Sequence, residues 1–442
     1  MKPRHWITIA ISIACLATAG AVTSQQVALN RVLDEPELGD GALRLGDMAV
    51  AQVLERLEHR LEVYERDYEA SLLKGLVLFK SGQVQRALDE LDALTRRAPK
   101  FHLAHLVKAD IQQSRLHVMS DLGASPLLDG QSQEQEEQLN RLREEANARL
   151  KAYLQTIGED RVPAQMLMLG KSVKTAILVD KDKHRLYVYE NPGPGQAPRL
   201  LRDFYVSTGK LIGDKQIRGD LKTPEGVYFV VSYRPDSDLP EKYGTGAFPL
   251  NYPNELDRRL GKTGYGIWLH GTDKSYYSRP PLDSEGCVVL TNFDLDAVAP
   301  YIQIGATPVV IAQQVEWLSR DEWVTRKDEL LSTLNEWQRD WESLDVEQYL
   351  DNYASNFWSR KHDKKSWARY KRAVFSGKSY QRVEFDDVSM FAYPTDGLNG
   401  KPLVVVNFEQ RYESNNFNST AKKRVYLSKG PEGWKLVYEG GQ

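Results

Sequence analysis

The sequence is poor in cysteine, with two among 442 residues. Cys15 lies in an apolar stretch near the N-terminus, so the body of the protein carries a single thiol, Cys287. One thiol cannot form an internal disulfide, which excludes a disulfide-stabilised scaffold. Histidine and cysteine also do not cluster at the spacings of zinc sites, so we expect no structural metal.

An excess of charge of one sign is also missing. The chain has 58 Lys and Arg against 61 Asp and Glu, a formal net charge of -3. This balance argues against general nucleic-acid binding. No apolar run after the N-terminus is long enough to span a membrane. The length is too great for one ordinary core and predicts two to four domains.

The N-terminus has the pattern of an export signal. Basic residues in the first five positions precede an apolar run from Trp6 to Val22, and Ala19-Gly20-Ala21 suits cleavage after Ala21. We predict a signal peptide over 1–21 and a periplasmic or cell-envelope location. Retention of the run as a membrane anchor stays open, as does lipidation of Cys15, although Ser12 fits a lipidation motif poorly.

Residues 43–157 form a predicted helical region with a linker near 117–138. Apolar residues recur at three- and four-residue spacing, and seven positions match one tetratricopeptide unit of 34 residues. These positions are Gly75, Leu78, Gly82, Ala87, Leu91, Leu94 and Pro99. Such a unit either binds a partner or serves as a packing module. A homodimer formed through it is one alternative.

The periodicity then changes to that of strands. Short β-branched and aromatic runs over 173–313 predict a β-rich domain. The last region, 315–442, begins with helices rich in Trp and Tyr and continues with four predicted strands, Val383–Tyr393, Leu403–Tyr412, Lys422–Leu427 and Trp434–Tyr438. Helices followed by an antiparallel sheet form an α+β cone similar to the nuclear-transport-factor-2-like fold.

Cys287 and His270 are the candidate reactive residues. His270 closes a strand-like run and Cys287 opens another, so neighbouring strands can bring the imidazole near the sulfur. A histidine that takes the thiol proton activates a cysteine for attack on carbonyls. Gly286 leaves the backbone open for amides that stabilise an oxyanion, and Asn292 is expected to cap a following helix. The alternative is a buried structural cysteine and a structural histidine.

Four ordered motifs resemble the L,D-transpeptidase catalytic domain, the YkuD-like fold, over about Val173 to Ala312. They are His270-Gly271, Ser284-x-Gly286-Cys287, the strand-end segment Ser207–Lys210 and the Thr-Pro-x-Gly turn within Gly219–Tyr228. The resemblance implies a peptidoglycan enzyme in which Cys287 attacks a stem-peptide carbonyl, typically of the diaminopimelate–D-alanine bond. An amine then gives a 3→3 cross-link, or water gives a tripeptide. No metal or organic cofactor takes part.

The resemblance also assigns roles to neighbouring residues. His270 is the general base and the carbonyl of Gly271 orients its ring. The amides of Glu285, Gly286 and Cys287, in the turn that starts at Ser284, are the oxyanion-hole candidates. Tyr252 either lines the pocket or packs in the core.

Two positions depart from the family pattern. Glu285 replaces the usual His, and Val289 replaces the Arg that usually lies two residues after the cysteine. Both departures bear on the acceptor side, and the architecture resembles the L,D-carboxypeptidases that trim tetrapeptides and shape helical cells. A wall-binding scaffold without activity is a second alternative. Four cations on one turn either hold a stem-peptide carboxylate or are merely solvated: Lys210, Lys215, Arg218 and Lys222.

Overall fold

The computed structural model describes residues 47–115, 132–155, 158, 160–397 and 400–442. The predicted signal peptide, 1–21, and most of the predicted linker lie outside these residues. The chain divides into two compact units, one ending at Arg143 and the other beginning at Glu144. Within the described ranges, every helix is too short or too polar to cross a bilayer.

Helices make up the described part of the N-terminal unit, as the apolar spacing predicts. They are α1 (Asp47–Val63), α2 (Tyr68–Lys80), α3 (Val84–Arg97) and α4 (His102–Gln113), and α5 (Gln133–Leu154) follows the gap. α2 and α3 cross closely at Gly75, where a side-chain carbon would lie 2.9 Å from Cγ of Leu91. The helical pair is therefore present, and its tetratricopeptide-like character stays a prediction.

The first part of the second unit contains two sheets with a shared core. One sheet has the order β4-β3-β2-β12-β6, and the other has the order β11-β9-β8-β7. The strands of the first sheet are β2 (Thr175–Asp180), β3 (Arg185–Glu190), β4 (Arg199–Tyr205), β6 (Gly226–Phe229) and β12 (Pro308–Ala312). Those of the second are β7 (Arg234–Pro235), β8 (Gly246–Pro249), β9 (Trp268–His270) and β11 (Val288–Val289). Ile177, Val188, Leu269 and Val288 meet in the core between them.

Shorter elements surround these sheets. β5 (Thr208–Gly209) and β10 (Leu282–Ser284) pair in parallel. α6 (Glu255–Arg259) and α7 (Asn292–Val298) are the helices of this region. The ends of the region pair with each other, because β1 (Val162–Pro163) lies antiparallel to β13 (Trp317–Leu318).

The last part of the chain has helices first and a long sheet after, as predicted. The helices are α8 (Arg320–Glu342), α9 (Val346–Asp351) and α10 (Lys364–Phe375). The strands are β14 (Tyr353–Trp358), β15 (Gln381–Ala392), β16 (Leu403–Ser414), β17 (Ser419–Gly430) and β18 (Gly433–Gly441). β14 was not predicted, and it joins the edge of the sheet in parallel to β18.

The β-rich region and the cone share hydrophobic contacts as well as a chain connection. Tyr187 and Tyr189 of β3 belong to the same buried cluster as Phe391, Tyr426 and Tyr438 of the cone. Backbone bonds reinforce this contact, since the amides of residues 167 and 168 both donate to the carbonyl of residue 390. A core of this kind holds the two regions as one body.

Buried ion pairs fix the turn that carries the Thr-Pro-x-Gly motif. Lys262 Nζ lies 2.6 Å from Asp214 Oδ2 and 3.1 Å from Asp257 Oδ1, with 3% of its side chain exposed. Lys215 pairs with Asp220 at 2.7 Å and is equally hidden. Charges that have lost their water need such partners. The sequence suggested that Lys215 either holds a stem-peptide carboxylate or is solvated. Both interpretations were wrong, because its ammonium group is buried against Asp220.

Replacing Lys262 with Met is expected to lower the free energy of unfolding by about 3–5 kcal/mol, because the buried Asp257 carboxylate and the partly buried Asp214 carboxylate then lose their cation. Urea denaturation of the full chain measures this loss. Arg258→Met is the matched control, since Arg258 is an exposed cation on α6, next to Asp257, and its removal should cost less than about 1 kcal/mol. Equal losses in the two variants would contradict the structural role of Lys262.

Candidate active site

His270 and Cys287 lie on neighbouring parallel strands. β11 pairs with β9 so that Val289 is opposite His270 and Val288 is opposite Leu269. Side chains alternate between the faces of a sheet, and Leu269 and Val288 point into the core. His270 therefore shares the other face with Val289 and with Cys287, two residues before it. The two candidate residues are diagonal neighbours on this face, which we call the reactive face.

One hydrogen bond sets the orientation of the His270 ring. Its Nδ1 lies 2.6 Å from the carbonyl oxygen of Gly271. A carbonyl only accepts, so Nδ1 carries the proton and Nε2 is the basic nitrogen. The edge of the ring also packs against Tyr243, with 4.9 Å between ring centroids. This is the tautomer that a general base for the thiol requires.

Gly271 is required at its position by a close contact. A side-chain carbon there would lie 2.2 Å from Oδ1 of Asn292, which accepts a hydrogen bond from the Thr245 amide at 3.2 Å. A side-chain carbon at Gly244 would lie 1.9 Å from the same Oδ1 atom. Asn292 thus holds the two backbone segments that flank His270. The expectation that it caps a helix was wrong, because Thr291 is the N-cap of α7 and accepts from the Asp294 amide.

The turn before Cys287 is held by Ser284. Its hydroxyl donates to the carbonyl of Cys287 at 2.6 Å and accepts from the amide of Gly286 at 3.0 Å. Gly286 has a φ of 128°, and a side-chain carbon there would lie 2.7 Å from the carbonyl of Lys222. Ser284 therefore shapes the turn. Since the Gly286 amide is engaged, Glu285 and Cys287 remain the amides proposed for an oxyanion.

Both reactive groups are uncharged at neutral pH. Burial raises the pKa of the Cys287 thiol to about 11, although a backbone hydrogen bond from Trp268 and the charge of Lys242 oppose this. Burial also lowers the pKa of His270 to about 4, which its bond to Gly271 opposes and the charges of Arg279 and Lys242 reinforce. Cys287 nevertheless keeps partial exposure, and its Sγ lies 3.4 Å from the carbonyl of Gly266.

The remaining predicted residues have different surroundings. Tyr252 is buried in the core between the two sheets, where its hydroxyl donates to the carbonyl of Thr263 at 3.1 Å and its ring packs against Tyr228. Of the two roles considered for Tyr252, lining the pocket or packing in the core, the structure shows packing in the core. Glu285 is exposed next to the turn. Among the described residues, His, Cys, Asp and Glu form no cluster that could hold a metal ion.

Sequence reasoning missed several residues of the reactive face. Tyr243 contacts both His270 and Trp268, each with 4.9 Å between ring centroids. Arg279 donates from Nε to the hydroxyl of Thr272, which directly follows Gly271. Tyr243 lies in a short 3-10 helix and Arg279 in a loop, neither belongs to a motif, and no sequence signal singled them out.

Two family models match the chain. The L,D-transpeptidase catalytic domain, YkuD, matches residues 174–311, and the Cds6 C-terminal NTF2-like domain matches residues 329–440. The predicted fold class is thereby confirmed for these two regions.

The chain is also similar to individual proteins. The structure of Bd1075 from Bdellovibrio bacteriovorus is 31% identical, with a TM-score of 0.57 over 64% of this chain and 98% of that one. The helical cell shape determining protein Pgp2 from Campylobacter jejuni is 27% identical, with a TM-score of 0.53 over 63% and 95%. YafK of Escherichia coli strain K12, assigned as an L,D-transpeptidase, is 29% identical over 139 residues, 30% of this chain. The match spans 49%, about half, of the length of that curated relative.

Gly271→Ala is expected to disturb the His270 tautomer, because the added carbon collides with Asn292 and displaces the carbonyl. Ring ¹⁵N shifts of labelled histidine measure this, with His270→Gln to assign the signal. The native protein should show protonated Nδ1 and basic Nε2, and the variant a mixture. Gly377→Ala is the control, since its nearest neighbour would lie at 3.8 Å. An unchanged His270 signal in Gly271→Ala would contradict the assignment.

Alkylation should report a protonated thiol at neutral pH. With the pKa of Cys287 raised to about 11, the thiolate fraction at pH 7 is about 10⁻⁴ and grows about tenfold per pH unit. The rate of iodoacetamide labelling, followed by mass spectrometry on the Cys287 peptide, is therefore expected to rise continuously from pH 7 to 10. A plateau already reached near pH 6 would instead indicate a preformed thiolate–imidazolium pair.

Proposed function

Because the chain belongs to the L,D-transpeptidase (YkuD) family and carries a C-terminal NTF2-like domain, we propose that it is a cysteine enzyme acting on peptidoglycan stem peptides. The observation that carries this proposal is the orientation of His270, whose bond to Gly271 leaves Nε2 basic on the face shared with Cys287.

The proposed reaction is acyl transfer through a thioester. His270 Nε2 takes the proton of the Cys287 thiol as the sulfur attacks the carbonyl carbon that precedes the D-residue. The C–S bond forms, and the amides of Glu285 and Cys287 stabilise the oxyanion. The C–N bond then breaks, and His270 returns the proton to the leaving amine. D-alanine departs and the acyl group remains on sulfur.

Starting from a neutral pair suits this sequence of steps. Burial disfavours both the free thiolate and the imidazolium, so the proton moves only as the carbonyl is attacked. The energy of charge separation is then offset by the oxyanion contacts, which exist only in the transition state. An idle enzyme thus keeps its thiol in the less oxidisable protonated form.

Water is the proposed acceptor that releases the acyl group. Val289 pairs with His270 across the strands, at the position where the family usually has Arg. An apolar residue there removes one group that could bind a second stem peptide. The likeness to Pgp2, a helical cell shape determining protein, agrees with a trimming role that affects cell shape. The products would be a tripeptide stem and D-alanine, which makes the enzyme an L,D-carboxypeptidase.

The cellular setting follows from the substrate. Peptidoglycan lies outside the cytoplasmic membrane, so we place the enzyme in the periplasm or cell envelope, delivered by the signal of residues 1–21. Attachment to the membrane would require that this signal is retained. A homodimer formed through the helical region is a further part of this proposal.

Digestion of purified sacculi tests the reaction. Tripeptide stems without new 3→3 dimers are the expected products, resolved by chromatography and mass spectrometry of muropeptides. Cys287→Ala is expected to lose at least about 10³-fold in rate, because no other thiol can form the thioester. New 3→3 dimers would show that the enzyme is a transpeptidase and not a carboxypeptidase. Identical muropeptides from the native protein and Cys287→Ala would leave only the scaffold alternative.

A further inference from the structure

Two cations border the reactive face without a carboxylate partner. Arg279 and Lys242 form no ion pair with any acid among the residues that the structure describes, whereas Lys274 of the same loop pairs with Asp236. Their charges nevertheless reach the reactive groups. After burial, which lowers the pKa of His270 and raises that of Cys287, both cations act to lower each of these pKa values. Glu285 is the nearby acid that acts in the opposite direction on Cys287.

The guanidinium of Arg279 is held in position by the backbone and side chains around His270. Its Nε donates to the hydroxyl of Thr272 at 3.0 Å, and its Nη2 lies 3.5 Å from the carbonyl of Lys242. The carbonyl of Arg279 itself accepts a bond from the hydroxyl of Tyr205 at 2.9 Å. Thr272 is fully buried and follows Gly271. Arg279 is thus anchored to both segments that flank the His270 ring.

This anchoring leaves part of the guanidinium available. A guanidinium has five N–H groups, and the contacts to Thr272 and Lys242 use two of them. The remaining three include both protons of Nη1, so one edge can bind a carboxylate with two parallel bonds. Lys242, whose carbonyl Nη2 of Arg279 contacts, adds a second positive charge, with its Nζ 5.1 Å from the centroid of Tyr243. A carboxylate is the ligand that matches a fixed guanidinium and a second cation near a nucleophile.

We propose that Arg279, assisted by Lys242, binds the free carboxylate of the terminal D-residue that leaves the stem peptide. This inference rests on the proposed function and names the group that selects its substrate. A stem that ends at the scissile D-residue offers a carboxylate one residue beyond the attacked carbonyl. A stem that continues, or is capped as an amide, lacks that charge. Arg279 therefore makes the enzyme prefer chain ends.

Two synthetic tetrapeptides test this preference. They differ only at the terminal D-alanine, which carries a free carboxylate in one and a carboxamide in the other. For the native protein we expect a higher kcat/KM on the acid. Arg279→Gln should reduce kcat/KM on the acid by about 10- to 100-fold, as expected for a lost charge-assisted contact, and bring the ratio between the two substrates close to one. Arg279→Lys should recover part of the preference, since it keeps the charge without the fork.

Lys274→Gln is the matched control, because it removes a cation from the same loop whose charge Asp236 already neutralises. This variant is expected to keep the preference of the native protein for the acid. The inference is overturned if Arg279→Gln lowers kcat/KM on both peptides by the same factor, since the arginine would then act on the nucleophile or the fold. It is also overturned if neither value changes.

Binding measured without turnover separates this inference from the proposed function. In a Cys287→Ala background, calorimetry with the acid tetrapeptide should give a Kd about 10- to 100-fold weaker when Arg279→Gln is added, and no such difference with the carboxamide. Binding that follows this pattern supports the carboxylate site even if the native protein cleaves neither peptide. Absence of cleavage would then contradict only the proposed reaction. Equal affinity for the acid tetrapeptide in Cys287→Ala with and without Arg279→Gln would contradict the carboxylate site.

Discussion

The bond from Nδ1 of His270 to the carbonyl of Gly271 is the interaction on which the reactive face depends. It decides which imidazole nitrogen is basic, and it exists because the residue after the histidine has no side chain to collide with Asn292. Asn292 in turn is held at the start of α7, whose cap is Thr291. The orientation of one ring therefore depends on three separate segments, all packed against the sheet that contains β9 and β11.

Burial around this bond shapes the chemistry. A dry environment keeps both the thiol and the imidazole neutral, and electrostatic contacts are stronger there than in water. Arg279 and Lys242 stand at the border of this region, so a bound carboxylate would complete the charge balance only when substrate is present. The core shared by the β-rich region and the cone packs on the sheet that contains β3, since Tyr187 and Tyr189 contact cone residues there.

The sequence predicted the parts of the molecule that depend on local patterns. Strand alternation located β2 and β3, helical spacing located α2 and α3, and motif order singled out His270, Gly271 and Cys287. Long-range pairing was beyond such patterns. Neither the parallel alignment of β9 with β11 nor the addition of β14 beside β18 has a local signal. The roles of charged residues were the hardest to predict. Lys215 and Arg279 are both cations in loop segments of the sequence, yet Lys215 forms a buried ion pair and Arg279 borders the reactive face.

We propose that His270 activates the Cys287 sulfur for attack on a carbonyl. Acylation by a carbapenem, followed by intact-protein mass spectrometry and peptide mapping, measures this attack without any choice of acceptor. We expect one adduct, on Cys287, that forms readily in the native protein and at least about 100-fold more slowly in His270→Gln. An adduct that forms equally fast without His270, or no adduct at all, would contradict it.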